Sequence, residues 1–95
     1  MRVRFTPAAR RYLVGIARFI AADNPHRAES FVHELVAACE ALGEYPERHV
    51  VLSRHIAQGY RRLPFGHYSI IYRVADEVQV VRIVSSWIDL EAELD

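Results

Sequence analysis

The sequence predicts an α+β fold with its elements in the order β-α-α-β-β-β. Three observations lead there. Residues 7–23 and 25–42 carry apolar side chains at helical spacing and are separated only by Asn24-Pro25. From Tyr60 onward the apolar period becomes that of strands, with two runs rich in β-branched and aromatic residues, YSIIYRV and VQVVRIV. A short alternating segment, RVRFT, precedes the first helix. Helices grouped early and strands grouped late give an N-terminal antiparallel helix hairpin packed on a mostly antiparallel, twisted sheet.

Each element has a local cause. Over residues 2–6, Val3 and Phe5 point one way and Arg2 and Arg4 the other, so this is a strand with one buried face. It must join the sheet, because an isolated strand leaves its backbone unpaired. Thr6 is a natural N-cap and Pro7 suits the first helical position. The helix that follows, to about Asp23, has an apolar face of Leu13, Ile16, Ala17 and Ile20, widened by Tyr12 and Phe19. Arg10, Arg11 and Arg18 lie off that face.

Asn24-Pro25 ends one helix and starts the next. Ala28, Phe31, Leu35, Ala38 and Leu42 form the seam of the second helix, Gly43 is its expected C-cap, and Pro46 prevents continuation. Two amphipathic helices with so short a link fold back on each other. Residues 44–59 show little period beyond the apolar run Val50 to Leu52. Tyr60–Phe65 reads as an edge strand, because Pro64 cannot donate to a ladder on both sides. Tyr68–Val74 and Val78–Val84 are apolar on both faces, so they are central, joined by the turn Ala75-Asp76-Glu77. After Ser85-Ser86, the tail WIDLEAELD suits a short helical turn.

Composition narrows the function classes. A chain of 95 residues is expected to be one domain, spanning 1–95. With 52% hydrophobic and 25% charged residues it is not disordered. Its apolar runs are too short to span a membrane, and MRVRFT lacks a secretory h-region. The single cysteine, Cys39, allows no internal disulfide, so a cytoplasmic location is expected. Twelve basic and twelve acidic residues cancel, and all twelve cations are arginine. Lysine chemistry is thereby excluded, and the chain has no overall positive field for binding nucleic acid. Arginine without lysine favours bidentate contacts with carboxylate or phosphate, although a GC-rich genome gives the same bias.

Catalytic motifs are scarce. No Gly-x-Ser-x-Gly elbow occurs, and Cys39 sits mid-helix as a small core residue. Gly15, Gly43, Gly59 and Gly66 are too scattered for a phosphate loop. His33-Glu34 begins like His-Glu-x-x-His, but position 37 is Ala. His26 and His33 stand seven apart, and His49, His55 and His67 fall in loops or at strand starts. No metal or cofactor is expected from this set. Asp76 and Glu77 belong to a turn, and Glu91, Glu93 and Asp95 to a solvated tail. Among the arginines, Arg61 and Arg62 point to opposite faces of one strand, while Arg73 and Arg82 lie inside apolar strands. Such charges are expected to be paired, at an edge, or on an open sheet face. They meet either a helix acid such as Glu34 or Glu40, or the carboxylates or phosphates of a partner. Trp87 is either a lid on the core or an exposed anchor.

Taken together, the opening strand with Thr6-Pro7-Ala8-Ala9, the helices LVGIARFIAADNP and FVHELVAACEALGEYP, Gly59-Tyr60-Arg61-Arg62-Leu63-Pro64 and the pair YSIIYRVADEVQVVRIV resemble the ParE/RelE superfamily of type II toxin–antitoxin toxins. The resemblance covers nearly the whole chain. It implies a cytoplasmic toxin neutralised by an antitoxin encoded beside it. RelE-like members cleave mRNA on the ribosome with a lysine-rich cleft, an arginine after the tyrosine of the second-last strand, and basic or aromatic groups near the C-terminus. Here Ser69 follows Tyr68, lysine is absent, and the tail is acidic. ParE-like members are not nucleases; they bind DNA gyrase and block replication. The ParE-like reading is therefore the expected one, with no catalytic residue, and the ribosome-dependent endonuclease is the alternative. A binding module without toxicity is a third.

Two site expectations follow from the resemblance. A cognate ParD-like antitoxin is expected to cover an apolar groove and the edge strand Tyr60–Phe65 by laying an amphipathic helix across helices and sheet, its acids meeting Arg10, Arg11, Arg18, Arg61, Arg62, Arg73 or Arg82. ParE-like toxins often carry a His and then an Arg-Asp pair after the last strand; here Ser85 and Ile88 replace His and Arg, and Asp89 is kept. Trp87 and Asp89 are the expected target contacts. No membrane and no sequence-specific nucleic-acid partner is expected.

Overall fold

The computed structural model describes residues 1–49, 51–52 and 58–85. Its elements are β1 (Val3–Phe5), α1 (Pro7–Ala21), α2 (Pro25–Ala41), β2 (Arg61–Phe65), β3 (Tyr68–Val74) and β4 (Val78–Ser85). Both helix starts form as their sequences require. The Thr6 hydroxyl accepts from Ala9 N–H at 3.2 Å, the Asn24 side chain accepts from Arg27 N–H at 3.0 Å, and each is followed by proline. Thr6 also ties α1 to the sheet: its N–H donates to the Val80 carbonyl at 3.0 Å and its hydroxyl to the Val81 carbonyl at 3.3 Å.

The strands form one sheet in the order β1-β4-β3-β2. β1 runs parallel to β4, and the other two pairings are antiparallel. β3 and β4 are central, and Pro64 lies on the edge strand β2, where its missing N–H costs no ladder bond. Val51 bridges the start of that edge at Arg61, with Leu52 N–H donating to the Tyr60 carbonyl at 2.8 Å. β3 and β4 shift register between Ile71 and Tyr72: Tyr72 faces Val80, Ile71 faces Arg82, and Val81 bulges between.

The core lies between the helices and one face of the sheet. Ala9 and Ile16 of α1 and Leu35, Cys39 and Leu42 on α2 and its cap meet Ile70, Tyr72, Val78, Val80 and Ile83. Phe31 closes one end, its ring 5.6 Å from Phe65 and 5.7 Å from Tyr68. The Tyr72 hydroxyl donates to the Pro46 carbonyl at 2.8 Å, which satisfies the polar end of a buried aromatic.

Three expectations are corrected. α1 closes at Ala21 rather than near Asp23, because the N–H groups of Asp23 and Asn24 both turn back to the Ile20 carbonyl. Phe19 does not extend the buried face; it is 75% exposed. Gly43 is not a left-handed cap, since the only positive-φ residues described are Gly59 and Gly66. α2 instead ends in tightened turns, with Leu42, Gly43 and Glu44 N–H groups bonded three residues back. The small size of Gly43 has another use: a Cβ there would run into the backbone carbonyl of Met1.

Cys39 is fully buried as a core residue. Burial, and then the charge of Glu40, push its thiol up to about 12. Well below pH 9 the thiol is protonated whether the chain is folded or not. Above it, the unfolded thiol ionises first, so the unfolded state binds fewer protons and stability falls as pH rises toward 12. Thiol labelling at pH 8 should therefore proceed only through unfolding, at a rate that rises with urea. Fast labelling of the native protein would contradict the burial.

Candidate functional site

The sheet's two sides end at different heights. β1 pairs only with Val78, Gln79 and Val80, so β4 from Arg82 to Ser85 runs on past it. Beside that length of β4, under α1, lies a groove of about 720 Å³. Ala8, Arg11, Tyr12, Gly15, Ile16 and Phe19 of α1 form one wall, with Tyr68, Arg82 and Ser85 opposite. Apolar and aromatic groups line most of it, and Arg11 stands exposed at its rim. The Arg82 guanidinium donates to the Tyr12 hydroxyl at 2.6 Å and lies 5.8 Å from that ring's centroid. The Ser85 hydroxyl is buried and has no hydrogen-bond partner among the described residues.

Gly15 lines this groove from inside α1. A glycine inside a helix costs about 0.5–1 kcal/mol relative to alanine. Nothing lies within 4 Å of where its Cβ would be, so no internal contact demands it. Its missing side chain keeps space open on the outside. Gly15→Ala should raise the unfolding free energy by roughly 0.5–1 kcal/mol in urea titrations; a loss of stability would mean that the helix is strained there.

The seven arginines singled out from the sequence fall into two environments. Arg10, Arg11 and Arg18 are exposed on α1 and have no acidic partner among the described residues. The strand arginines are half-buried and bonded within the chain. Arg61 donates to the carbonyls of Glu47 and His49 at 3.0 and 2.6 Å. Arg62 donates to the Ser69 hydroxyl at 2.8 Å, Arg73 to the Gln79 side-chain carbonyl at 2.7 Å, and Arg82 to Tyr12.

The expected pairing of strand arginines with Glu34 or Glu40 is thus replaced. Glu34 sits on the outer face of α2 and is gripped by Arg27 at 2.6 and 3.3 Å, which holds its carboxyl below the usual range. The ion pairs described are that one and Arg4–Glu77. Trp87, Asp89 and the tail after Ser85 lie outside the described residues.

His26, His33 and His67 are exposed, and His55 lies outside the described residues. His49 stands edge-on to Tyr72 with ring centroids 6.2 Å apart. Burial, and then Arg48, lower its pKa. Among the described residues no three of His, Cys, Asp or Glu come together as a metal set, and no helix is long and apolar enough to cross a membrane.

Residues 3–87 match the family model of the ParE toxin of type II toxin–antitoxin systems, parDE. The chain belongs to the ParE toxin family. Two solved structures share its fold. One, from the chromosomal ParDE system of P. aeruginosa, has a TM-score of 0.75 at 22% identity, covering 90% of this chain and 95% of that one. The other, from the RelBE2 toxin–antitoxin complex of Mycobacterium tuberculosis, has a TM-score of 0.66 at 28% identity, covering 88% and 95%. No curated protein matches the sequence.

In this ParE-family toxin, sequence reasoning placed the exposed arginines of α1 and missed Gly15, Phe19 and Ser85 as groove residues. A mid-helix glycine followed four positions later by an aromatic was the available signal. Ser85 offered none, because its burial depends on α1 folding over β4.

Proposed function

We propose that this ParE-family toxin acts without catalysis, by binding DNA gyrase in the cytoplasm, and is silenced by an acidic segment of a cognate ParD-like antitoxin. The match to the ParE family over residues 3–87 carries the reading. The site supports it in two ways. Ser69, which stands where RelE-like toxins are expected to have an arginine, is fully buried and accepts a bond from Arg62, so it offers no acid or base to an RNA. Arg10, Arg11 and Arg18 present exposed cations on α1, which suits an acidic partner.

The likeness to the RelBE2 structure keeps a RelE-like ribonuclease as the second reading. Induction of the toxin alone in bacteria separates the two. Filamentation with the DNA-damage response, and gyrase-dependent DNA cleavage by the purified toxin, are the expected results. Codon-specific mRNA cleavage at ribosomes would replace this reading with the second.

A further inference from the structure

We infer that the chain self-associates, two copies joining their sheets edge to edge through β1 about a two-fold axis at Arg4. The inference stands apart from the antitoxin and gyrase readings. A second groove, of about 660 Å³, runs along the outer side of β1 and shares no lining residue with the groove beside β4. Val3, Phe5, Leu13 and Val36 supply its apolar lining, and Arg10 and Glu40 are exposed at its rim. β1 ends the sheet, with no described strand beyond it. On its inner side the Arg2 carbonyl accepts from Val78 N–H at 2.8 Å, and Thr6 N–H donates to the Val80 carbonyl at 3.0 Å. Bonding alternates along a ladder, so Val3 and Phe5 turn their N–H and C=O groups outward, where another strand can satisfy them.

Symmetry selects a second copy as the occupant. Antiparallel β1 strands centred on Arg4 pair Val3 with Phe5 of the second copy and Phe5 with its Val3, each pair exchanging both backbone bonds. Arg4 meets its own copy at the axis, and Glu77 already neutralises it at 2.5 Å. The rim charges match by the same operation. Arg10 lies just past the Phe5 end of β1, its N–H bonded back to the Thr6 carbonyl. Glu40 lies toward the Val3 end, a turn before Gly43, whose carbonyl accepts from the Met1 amine at 2.8 Å. Antiparallel pairing sets the Phe5 end of each copy against the Val3 end of the other, so each Arg10 faces a Glu40. Neither has an ion-pair partner among the described residues. Burial of the apolar lining supplies the attraction, and the rim charges fix the register.

Sedimentation of the full chain from about 1 μM to 1 mM tests this. A dimer is expected within that range, with the Val3 and Phe5 amides exchanging more slowly as concentration rises. Arg10→Glu and Glu40→Arg should each weaken self-association about 10–100-fold, by setting like charges against each other. An equimolar mixture of the two variants should associate as tightly as the parent, because each contact then joins opposite charges. That recovery also shows both variants to be folded. A chain that stays monomeric throughout would overturn the inference. So would a dimer whose Val3 and Phe5 amides do not respond, or a mixture that associates no better than the separate variants, since the contact would then lie elsewhere.

Discussion

Leu35→Ala should lower the unfolding free energy by about 2–5 kcal/mol, the cost of large-to-small changes in a core that cannot fully collapse. Leu35 is fully buried on α2 and belongs to the cluster that joins both helices to β3 and β4. Small domains hold only about 5–15 kcal/mol in total, so this one change could consume most of the margin. Urea denaturation measures it, with the slope m expected to stay constant because the surface exposed on unfolding does not change. Val14, half-exposed on α1, is the control: Val14→Ala should stay within about 0.5 kcal/mol. A loss below about 0.5 kcal/mol at Leu35 would place the wrong face of α2 against the sheet.

Features set by a few adjacent residues were legible in the sequence. Thr6-Pro7 and Asn24-Pro25 start the helices through their own side chains and rings, and the structure keeps both starts. β3 forms over Tyr68–Val74 as read, and β4 gains only Ser85. Features that depend on distant parts were not legible. The Phe19 side chain continues the apolar stripe of α1, but no described strand lies beside β4 past Val80 to cover that end, so Phe19 remains exposed. Gly43 satisfies the usual sign of a left-handed cap, yet tightened turns close α2 and the glycine is needed for the approach of Met1.

The arginines show the same division. Arg73, inside an apolar strand, is expected to be paired, at an edge or on an open sheet face; it is half-buried and bonded to Gln79, and Arg61 and Arg62 are likewise bonded within the chain. The expectation of a helix acid such as Glu34 or Glu40 failed for these three, because neutral acceptors one strand or one loop away lie within reach. Ser69 and Gln79 are near neighbours of Arg62 and Arg73 across the ladder, and the loop carrying Glu47 and His49 folds back over Arg61. No sequence pattern reports which loop carbonyl a long side chain will meet.

That division leads to opposite outcomes for charge reversal at arginines that look alike in the sequence. Arg61→Glu should destabilise the toxin by roughly 2–5 kcal/mol, since hydrogen bonds to a charged group contribute about 1.5–3 kcal/mol each. The new carboxylate would also face the carbonyl oxygens of Glu47 and His49, where it can only accept and finds no donor. Arg11→Glu and Arg18→Glu should leave stability within about 0.5 kcal/mol, because both side chains are exposed and lack an acidic partner among the described residues. On the antitoxin reading, Arg11→Glu should instead weaken the complex about 10–100-fold, by losing an attraction at the groove rim and adding a repulsion. Thermal melts and titration calorimetry on the same three variants separate fold from recognition. An unchanged melt for Arg61→Glu would refute its structural role, and unchanged affinity for Arg11→Glu would remove the groove rim from the antitoxin contact.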